Sequence, residues 1–439
     1  MLAPGPVGTY DPPGFFQRVL SGGIMASNTG FRPSRRDLLG AAAAVSATAL
    51  IGAPAIVRAE AKTLKIAKLL PRSGLFAAAG QSCHRGAVVT PKVLADYGYA
   101  VELMHIDFES NVDVARTQTE RAIAEGAQCV TGAFESGATL AIAQVCEQRQ
   151  IPFVIDIGSA PQLTEQGYKY LVRNFQTNPM LVENGLRQIK DLMAATKVSF
   201  ESAVYVHAND TFGTLSRKAM DELFPKAGMP FPLKDSIAYD PKAQDLAVEV
   251  TKIRAIDPDL VMVTSRSSDA IKLVRDMVRQ RFEPKAIVSP GSPGLYDEEF
   301  YQALGPLADF HLYNLPWANP KSEMTQALAA AFKQAHPKNR FEVDCFNAGF
   351  TFEGILIAAD AFKRAGTADG PTLMEAVKAT NIERHVMTGG PIRFDEKGQN
   401  NDITSAVVQS RHRTPTVVLP ADVAVMVPVL PMPAWQGRS

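Results

Sequence analysis

The chain has no excess of either charge: 45 Lys and Arg balance 45 Asp and Glu over 439 residues. Nothing in that balance favours nucleic acid or an anionic membrane surface, and neither partner is expected. Four cysteines, Cys83, Cys129, Cys146 and Cys345, form no C-x-x-C, and seven histidines form neither H-E-x-x-H nor a close pair. A metal site is therefore not expected. There is no G-x-S-x-G, no G-x-x-x-x-G-K-[ST] and no G-x-G-x-x-G after a strand, which removes support for the usual hydrolase, P-loop and dinucleotide readings. No repeat at a solenoid period is visible. No catalytic residue and no cofactor is expected.

With 46% hydrophobic and 21% charged residues the chain is an ordinary globular one, long enough for two domains or three small ones. Residues 1–59 read as a leader. Ser34-Arg35-Arg36-Asp37-Leu38-Leu39 precedes an uncharged, Ala-rich run to Val57, and Val57-Arg58-Ala59 or Ala59-Glu60-Ala61 offers a small-x-small cleavage pattern. Paired arginines before a mild apolar stretch are the pattern of twin-arginine export. An uncleaved anchor is the weaker alternative, because Gly40, Gly52, Pro54 and many alanines dilute the run. Pro54 and the lack of polar periodicity argue against a helix of the fold. Met25 offers a second start, giving a leader of more usual length. Export permits a disulfide, yet Cys129 at a strand start and Cys146 inside a helix read as small core residues.

From Thr63 onward, strand and helix patterns alternate without a hairpin signal, which predicts parallel α/β sheets. TLKIAKLL is the first strand. A helix follows from about Ser82 to Tyr97, then strand Val101 to Ile106, and then a helix opened by Asn111 and closed by Gly126. A second set runs from Asn178 to Ser289, with strand SAVYVH ending in Asn209-Asp210-Thr211-Phe212-Gly213 and strand DLVMVT ending in Ser265-Arg266-Ser267-Ser268-Asp269. From His311 the alternation breaks. Late strands are expected over Met387 to Phe394 and Ser405 to Val418, and the Pro-rich end from Pro428 reads as an extended strap or a loose tail. Gly291-Ser292-Pro293-Gly294 reads as a loop.

The stretch Cys129 to Gly167 is one βαβ unit: strand Cys129 to Ala133, helix from about Ala138 to Gln148, strand Ile151 to Ile157. Both strand ends then lie on one edge of a parallel sheet, where open α/β sheets bind ligands. The loop Ser136-Gly137-Ala138-Thr139 carries no bulky side chain and opens a helix, so its amides and hydroxyls suit an anion such as a carboxylate. Plain N-capping by Ser136 or Thr139 uses the same geometry.

These segments together resemble a family. The loop from Ser73-Gly74 to Gly80-Gln81, Glu135-Ser136-Gly137-Ala138-Thr139, Gly158-Ser159-Ala160-Pro161 with Leu163-Thr164-Glu165-Gln166-Gly167, Asp210-Thr211-Phe212-Gly213 and Gly390-Pro391-Ile392-Arg393-Phe394-Asp395 follow one another at the spacing of type I periplasmic binding proteins. The chain resembles the leucine/isoleucine/valine-binding branch, substrate-binding subunits of ABC importers, from Thr63 to about Val418. The resemblance implies two Rossmann-like lobes with parallel central sheets joined by three crossovers: residues 63–180 with 311–390 as one lobe, 181–310 with 391–420 as the other, and 421–439 as a tail.

It also implies site residues. Ser136, Gly137, Ala138 and Thr139 take a ligand carboxylate. The Ile157 carbonyl and the Ser159 hydroxyl accept an ammonium. Phe212 covers the ligand from the opposite lobe, and Asp269 stands where the family places an ammonium-binding glutamate. Phe76 and Ala79 belong to the pocket wall, and Ala79 replaces the large aromatic that relatives often have, leaving room for a bulkier ligand. Arg266 either meets a second acidic or phenolic group or pairs internally with Asp269. The expected role is a monomeric periplasmic receptor, not an enzyme, that captures an amino acid and delivers it to membrane permease subunits. A larger or aromatic carboxylate is the alternative ligand. A ligand-sensing domain of a receptor or amide regulator is the alternative class.

Overall fold

The structure is a computed structural model that describes residues 63–319, 321–421 and 424–438. The expected leader lies outside the described residues.

The chain begins with β1 (Leu64–Leu70), α1 (Ala77–Asp96), β2 (Val101–Asp107), α2 (Val112–Ala124), β3 (Cys129–Gly132), α3 (Ser136–Arg149), β4 (Phe153–Ile155), α4 (Gln162–Glu165) and β5 (Leu171–Arg173). The strands form an all-parallel sheet in the order β2-β1-β3-β4-β5. Because helices cover both faces, β1, β3, β4 and β5 are buried almost throughout, whereas β2 at the edge is mostly half-exposed. Asn111 caps α2 by accepting from the amides of Asp113 and Val114, and Gly126 follows its end at φ +93°, both as the sequence predicts.

The second set is α5 (Asn178–Thr196), β6 (Ala203–Ala208), α6 (Thr211–Leu223), β7 (Leu233–Tyr239), α7 (Ala247–Ile256), β8 (Leu260–Thr264), α8 (Ser267–Arg279), β9 (Ala286–Ser289), α9 (Glu298–Leu304) and β10 (Leu312–Leu315). After α10 (Glu323–Ala335), α11 (Phe341–Ala365) and α12 (Gly370–Lys378), the chain ends with β11 (Ala406–Arg411) and β12 (Thr414–Leu419). The second sheet runs β12-β11-β10-β9-β8-β6-β7, parallel from β7 to β10 and antiparallel beyond. This is the α/β architecture of two sheets expected from the alternation.

Leu312–Leu315, at the start of the stretch expected to rejoin the first lobe, pairs with β9 and β11 of the second sheet. The return to the first lobe follows it: α10 and α11 pack on α1. Residues 391–405 do not run straight into the second sheet either, since Ile392 bridges Ile382 and Gln399 bridges Arg173 at the end of β5. Met387 to Phe394 makes only such isolated bridges and no strand, because Gly389 (φ +140°), Gly390 and Pro391 interrupt it. The chain thus passes between the lobes three times. Arg173, wholly buried there, donates to Gln399 Oε1 (2.7 Å), Ala160 O (2.6 Å) and Thr164 Oγ1 (2.6 Å).

α11 has the length and hydropathy of a membrane span, but 89% of that window is buried against α1 and the first sheet, which makes it a core helix. All four cysteines are free and buried. The C-terminal segment is a strap: Trp435 is buried and donates from Nε1 to Phe282 O (2.8 Å), with the Arg438 guanidinium 3.9 Å above its ring.

Candidate binding cleft between the two lobes

Each sheet reverses strand order once. In the first, β1 and β3 are neighbours with β2 outside; in the second, β6 and β8 are neighbours with β7 outside. Ligands of open α/β sheets sit beyond the carboxyl ends of strands at such switch points. The chain leaving β1 carries Phe76, and the chain leaving β3 carries Phe134, Glu135 and Ser136. Beyond β6 lie Asp210 and Phe212, and beyond β8 lies Arg266. Phe76, Phe134, Ser136, Phe212 and Arg266 meet in one cleft of two compartments, with Asp210 paired to Arg266 beside it.

Phe134, Ser136, Ile157, Ser159, Phe175, Phe212, Arg266, Gly291, Pro293, Leu315 and Phe346 line the inner compartment. An outer compartment shares Phe134, Arg266 and Pro293 and adds Phe76, Ala79, Asp297 and Asn347. Polar groups in the inner one are few. Ser136 Oγ and Ser159 Oγ stand 3.5 Å apart, and both residues are buried. Ser136 is the first residue of α3, whose N-cap, Glu135, makes no side-chain bond to the helix amides. The opening amides of a helix have no partner within it, so α3 presents uncapped N–H groups and positive dipole charge beside Ser136. By contrast α6 is capped by Asp210, which accepts from Gly213 N at 2.8 Å.

Arg266 is the cation of the site and is 7% exposed. Its guanidinium lies 4.7 Å from the Phe76 ring centroid and 5.0 Å from that of Phe212, gripped between one aromatic from each lobe. Nη1 forms an ion pair with Asp210 Oδ2 at 2.6 Å. Arg266 does not pair with the Asp269 side chain. Its backbone amide donates to Asp269 Oδ1 at 2.8 Å, and Tyr239 donates its hydroxyl to the other carboxylate oxygen. Burial raises the Asp269 carboxyl above its usual range, against the hydrogen bond from Tyr239 and the charge of Arg266.

Of the residues singled out in the sequence, Ser136, Ile157, Ser159, Phe212 and Arg266 line the inner compartment, and Phe76 and Ala79 line the outer. Gly137 lies at the lobe junction, where a Cβ would come within 3.4 Å of Thr211 Oγ1. Ala138 and Thr139 line neither compartment. Thr139 is buried, with its hydroxyl donated to Glu135 O at 2.7 Å. Asp269 lines neither, because it is a capping residue of α8. Phe134, Phe175, Leu315 and Phe346 were not singled out, and Gly291 and Pro293, read as a plain loop, form wall. Phe175 and Phe346 belong to a ring cluster with centroids 5.9 Å apart, which extends through Phe346 to Tyr296 and Trp317. The cleft is thus an apolar, aromatic chamber with hydroxyls, helix amides and one guanidinium converging on it.

A sequence model of periplasmic binding proteins matches residues 63–413. Leu/Ile/Val-binding protein homolog 7 of Brucella suis is 24% identical over 379 residues, 81% of this chain and 90% of the relative. Among solved structures, a leucine-binding protein of Thermotoga maritima superposes with a TM-score of 0.67 at 21% identity, covering 81% of this chain and 97% of that one. A solute-binding protein of an ABC transporter from R. palustris, in complex with benzoate, gives 0.68 at 19% identity, covering 85% and 99%. These relatives are substrate-binding proteins, not enzymes. With the family's sequence match over most of its length and two α/β lobes around a cleft, the chain belongs to the periplasmic binding protein family, extracytoplasmic receptors that bind small molecules and work with ABC transporter permeases.

Proposed function

We propose that this protein is the solute-binding subunit of an ABC importer and captures a small apolar or aromatic carboxylate between its lobes. The observation that carries this reading is the Arg266 guanidinium, which lines the same inner compartment as Ser136, Ser159 and aromatic walls. A carboxylate there gains a charge-assisted hydrogen bond, and its apolar body fills a chamber of phenylalanines. No carboxylate side chain lines that compartment to hold an ammonium, since Asp269 is engaged by its own helix and by Tyr239. The benzoate carried by the R. palustris structure is a ligand of that class.

An amino acid is the second reading. Ile157 and Ser159, expected to accept an ammonium, do line the chamber, and the T. maritima protein is leucine-binding. Because a ligand touching both lobes favours the closed form, closure is the signal offered to the permease. The paired arginines Arg35-Arg36 support export by the twin-arginine route, and the protein acts as a monomer.

Thermal shift against matched acids decides between the readings: benzoate, 3-phenylpropionate and 4-methylpentanoate against phenylalanine and leucine. Des-amino acids are expected to raise the melting temperature more than their amino partners. The reverse order would replace the first reading with the second.

A further inference from the structure

Glu135 is a buried carboxylate at the edge of the cleft, between two residues that line it. It is 6% exposed, and among the described residues neither Oε1 nor Oε2 has a hydrogen-bond partner. It follows Phe134 and precedes Ser136, both cavity-lining, and as N-cap of α3 it does not turn its side chain to the helix. The charged groups it faces come from the other lobe: Arg266 favours its ionised form and Asp210 opposes it. Arg266 also pairs with Asp210 and is enclosed by Phe76 and Phe212. An ionised carboxylate taken out of water without a donor is among the costliest groups a protein can bury, and the ordinary escape is to bind a proton.

We propose that Glu135 takes up a proton when the lobes close, so that capture of an anionic ligand is coupled to protonation and Glu135 sets the pH range in which the receptor holds its cargo. This rests on the reading of the cleft as a carboxylate site. Neutral Glu135 no longer repels a carboxylate near Ser136 and gains an O–H to donate to it. Burial pushes the closed-state carboxyl up to about 7 from an ordinary value of 4.5, opposed first by its own backbone amide and then by the charge of Arg266. Between those values the closed form holds one proton more than a form with Glu135 in water. Affinity therefore falls as pH rises through this window, by at most ~10-fold per pH unit, and levels off above and below it. Asp297, on the outer compartment and also pushed to about 7 by burial, titrates in the same window; the Glu135→Gln variant separates the two.

The test is calorimetry of benzoate and of leucine binding to the intact protein at pH 6 and pH 8, in buffers of different ionisation heat. Benzoate is expected to bind with uptake of about one proton at pH 6 and almost none at pH 8, while Glu135→Gln binds it with no uptake from that residue and a flatter pH dependence. Benzoate binding without proton uptake at pH 6, or a pH dependence unchanged in Glu135→Gln, overturns the proposal. So does leucine binding without uptake that Glu135→Gln abolishes, which would make Glu135 an ionised ammonium partner. If neither compound binds, the carboxylate reading is what suffers. The proposal is then decided by carbon-13 NMR titration of glutamate-labelled Gly137→Cys/Thr211→Cys protein, whose disulfide ties the lobes together where Gly137 meets Thr211: a carboxyl titrating near 7 in the oxidised form, near 4.5 in the reduced form and missing when Glu135→Gln is added upholds it, and the same value in both forms refutes it.

Discussion

Arg266 Nη1 lies 2.6 Å from Asp210 Oδ2, on the adjacent strand end of the same lobe, and forms an ion pair with it. The arginine is held in place by that ion pair and by the rings of Phe76 and Phe212. Such a group binds an anion without first having to be rearranged.

Replacing Arg266 by Ala should therefore weaken binding of the best carboxylate from the thermal-shift panel by ~100-fold, near the upper range for hydrogen bonds to charged groups. Arg266→Lys should recover only part of this, since the ammonium cannot stack flat between Phe76 and Phe212. Titration calorimetry reads both. Unchanged affinity in Arg266→Ala would show that the carboxylate is held by the first lobe alone.

Asp269→Ala should damage the fold and spare the ligand. It removes the acceptor of Arg266 N and leaves the buried Tyr239 hydroxyl without its carboxylate partner. A loss of about 2 kcal/mol in urea unfolding is expected. Full stability with ligand binding lost would return Asp269 to the role that the family resemblance implied.

That role could have been doubted from the sequence. Asp269 follows Arg266 by three residues at a helix start, which is the spacing of an N3 carboxylate reaching back to the N-cap amide. The small-residue loop at Ser136 and the strand-end Phe212 were legible for a similar reason: local chain chemistry marks them, whatever the tertiary packing. Phe134, Phe175 and Phe346 carry no such mark. An apolar residue that walls a chamber and one that fills a core look alike until strands from distant parts of the chain are set side by side. The same holds for β10, whose LYNL would suit either sheet and is placed by pairing with β9 and β11. Glu135 was inside a quoted motif, but only its burial without a donor distinguishes it from an ordinary surface glutamate.

Beneath the cleft, Lys68 of β1 and Asp156 after β4 form an ion pair with both side chains essentially out of solvent. Lys68→Met alone should cost about 3–5 kcal/mol, because Asp156 is left charged or newly protonated in an apolar layer. The double variant Lys68→Met with Asp156→Leu should regain most of that loss. Urea midpoints of the three variants test this; a double variant as unstable as the sum of the singles would contradict it.

His385 donates toward two acceptors, Glu353 Oε1 from Nδ1 (2.8 Å) and the Gly390 carbonyl from Nε2 (2.9 Å), an arrangement that only the imidazolium satisfies fully. Burial pulls its pKa down, but the charge and hydrogen bond of Glu353 and the Gly390 carbonyl leave it raised above 6.5. A raised folded value means that the stabilisation is complete below pH 6.5 and is lost as pH rises through the folded value. Melting temperature should thus drop between pH 6.5 and 8.5 in wild type and drop less in His385→Gln. Equal slopes in the two proteins would remove His385 as the source.

On the proposed reading, Ala79 should set how far the ligand extends. It lines the outer compartment beside Phe76, Phe134 and Asn347, while the carboxylate-facing groups Ser136 and Ser159 belong to the inner one. On the proposed reading a one-ring acid anchored at Ser136 should stay in the inner chamber, whereas an acid with a longer body should pass Arg266 and reach Ala79. Ala79→Trp should therefore leave benzoate affinity within about threefold while weakening a long acid such as 4-phenylbutyrate by roughly 5- to 150-fold, the equivalent of about 1–3 kcal/mol of overpacking. Competition calorimetry with the two acids reads the ratio directly. Equal weakening of both would mean that the indole blocks closure itself, and no weakening of either would mean that the ligand never leaves the inner chamber.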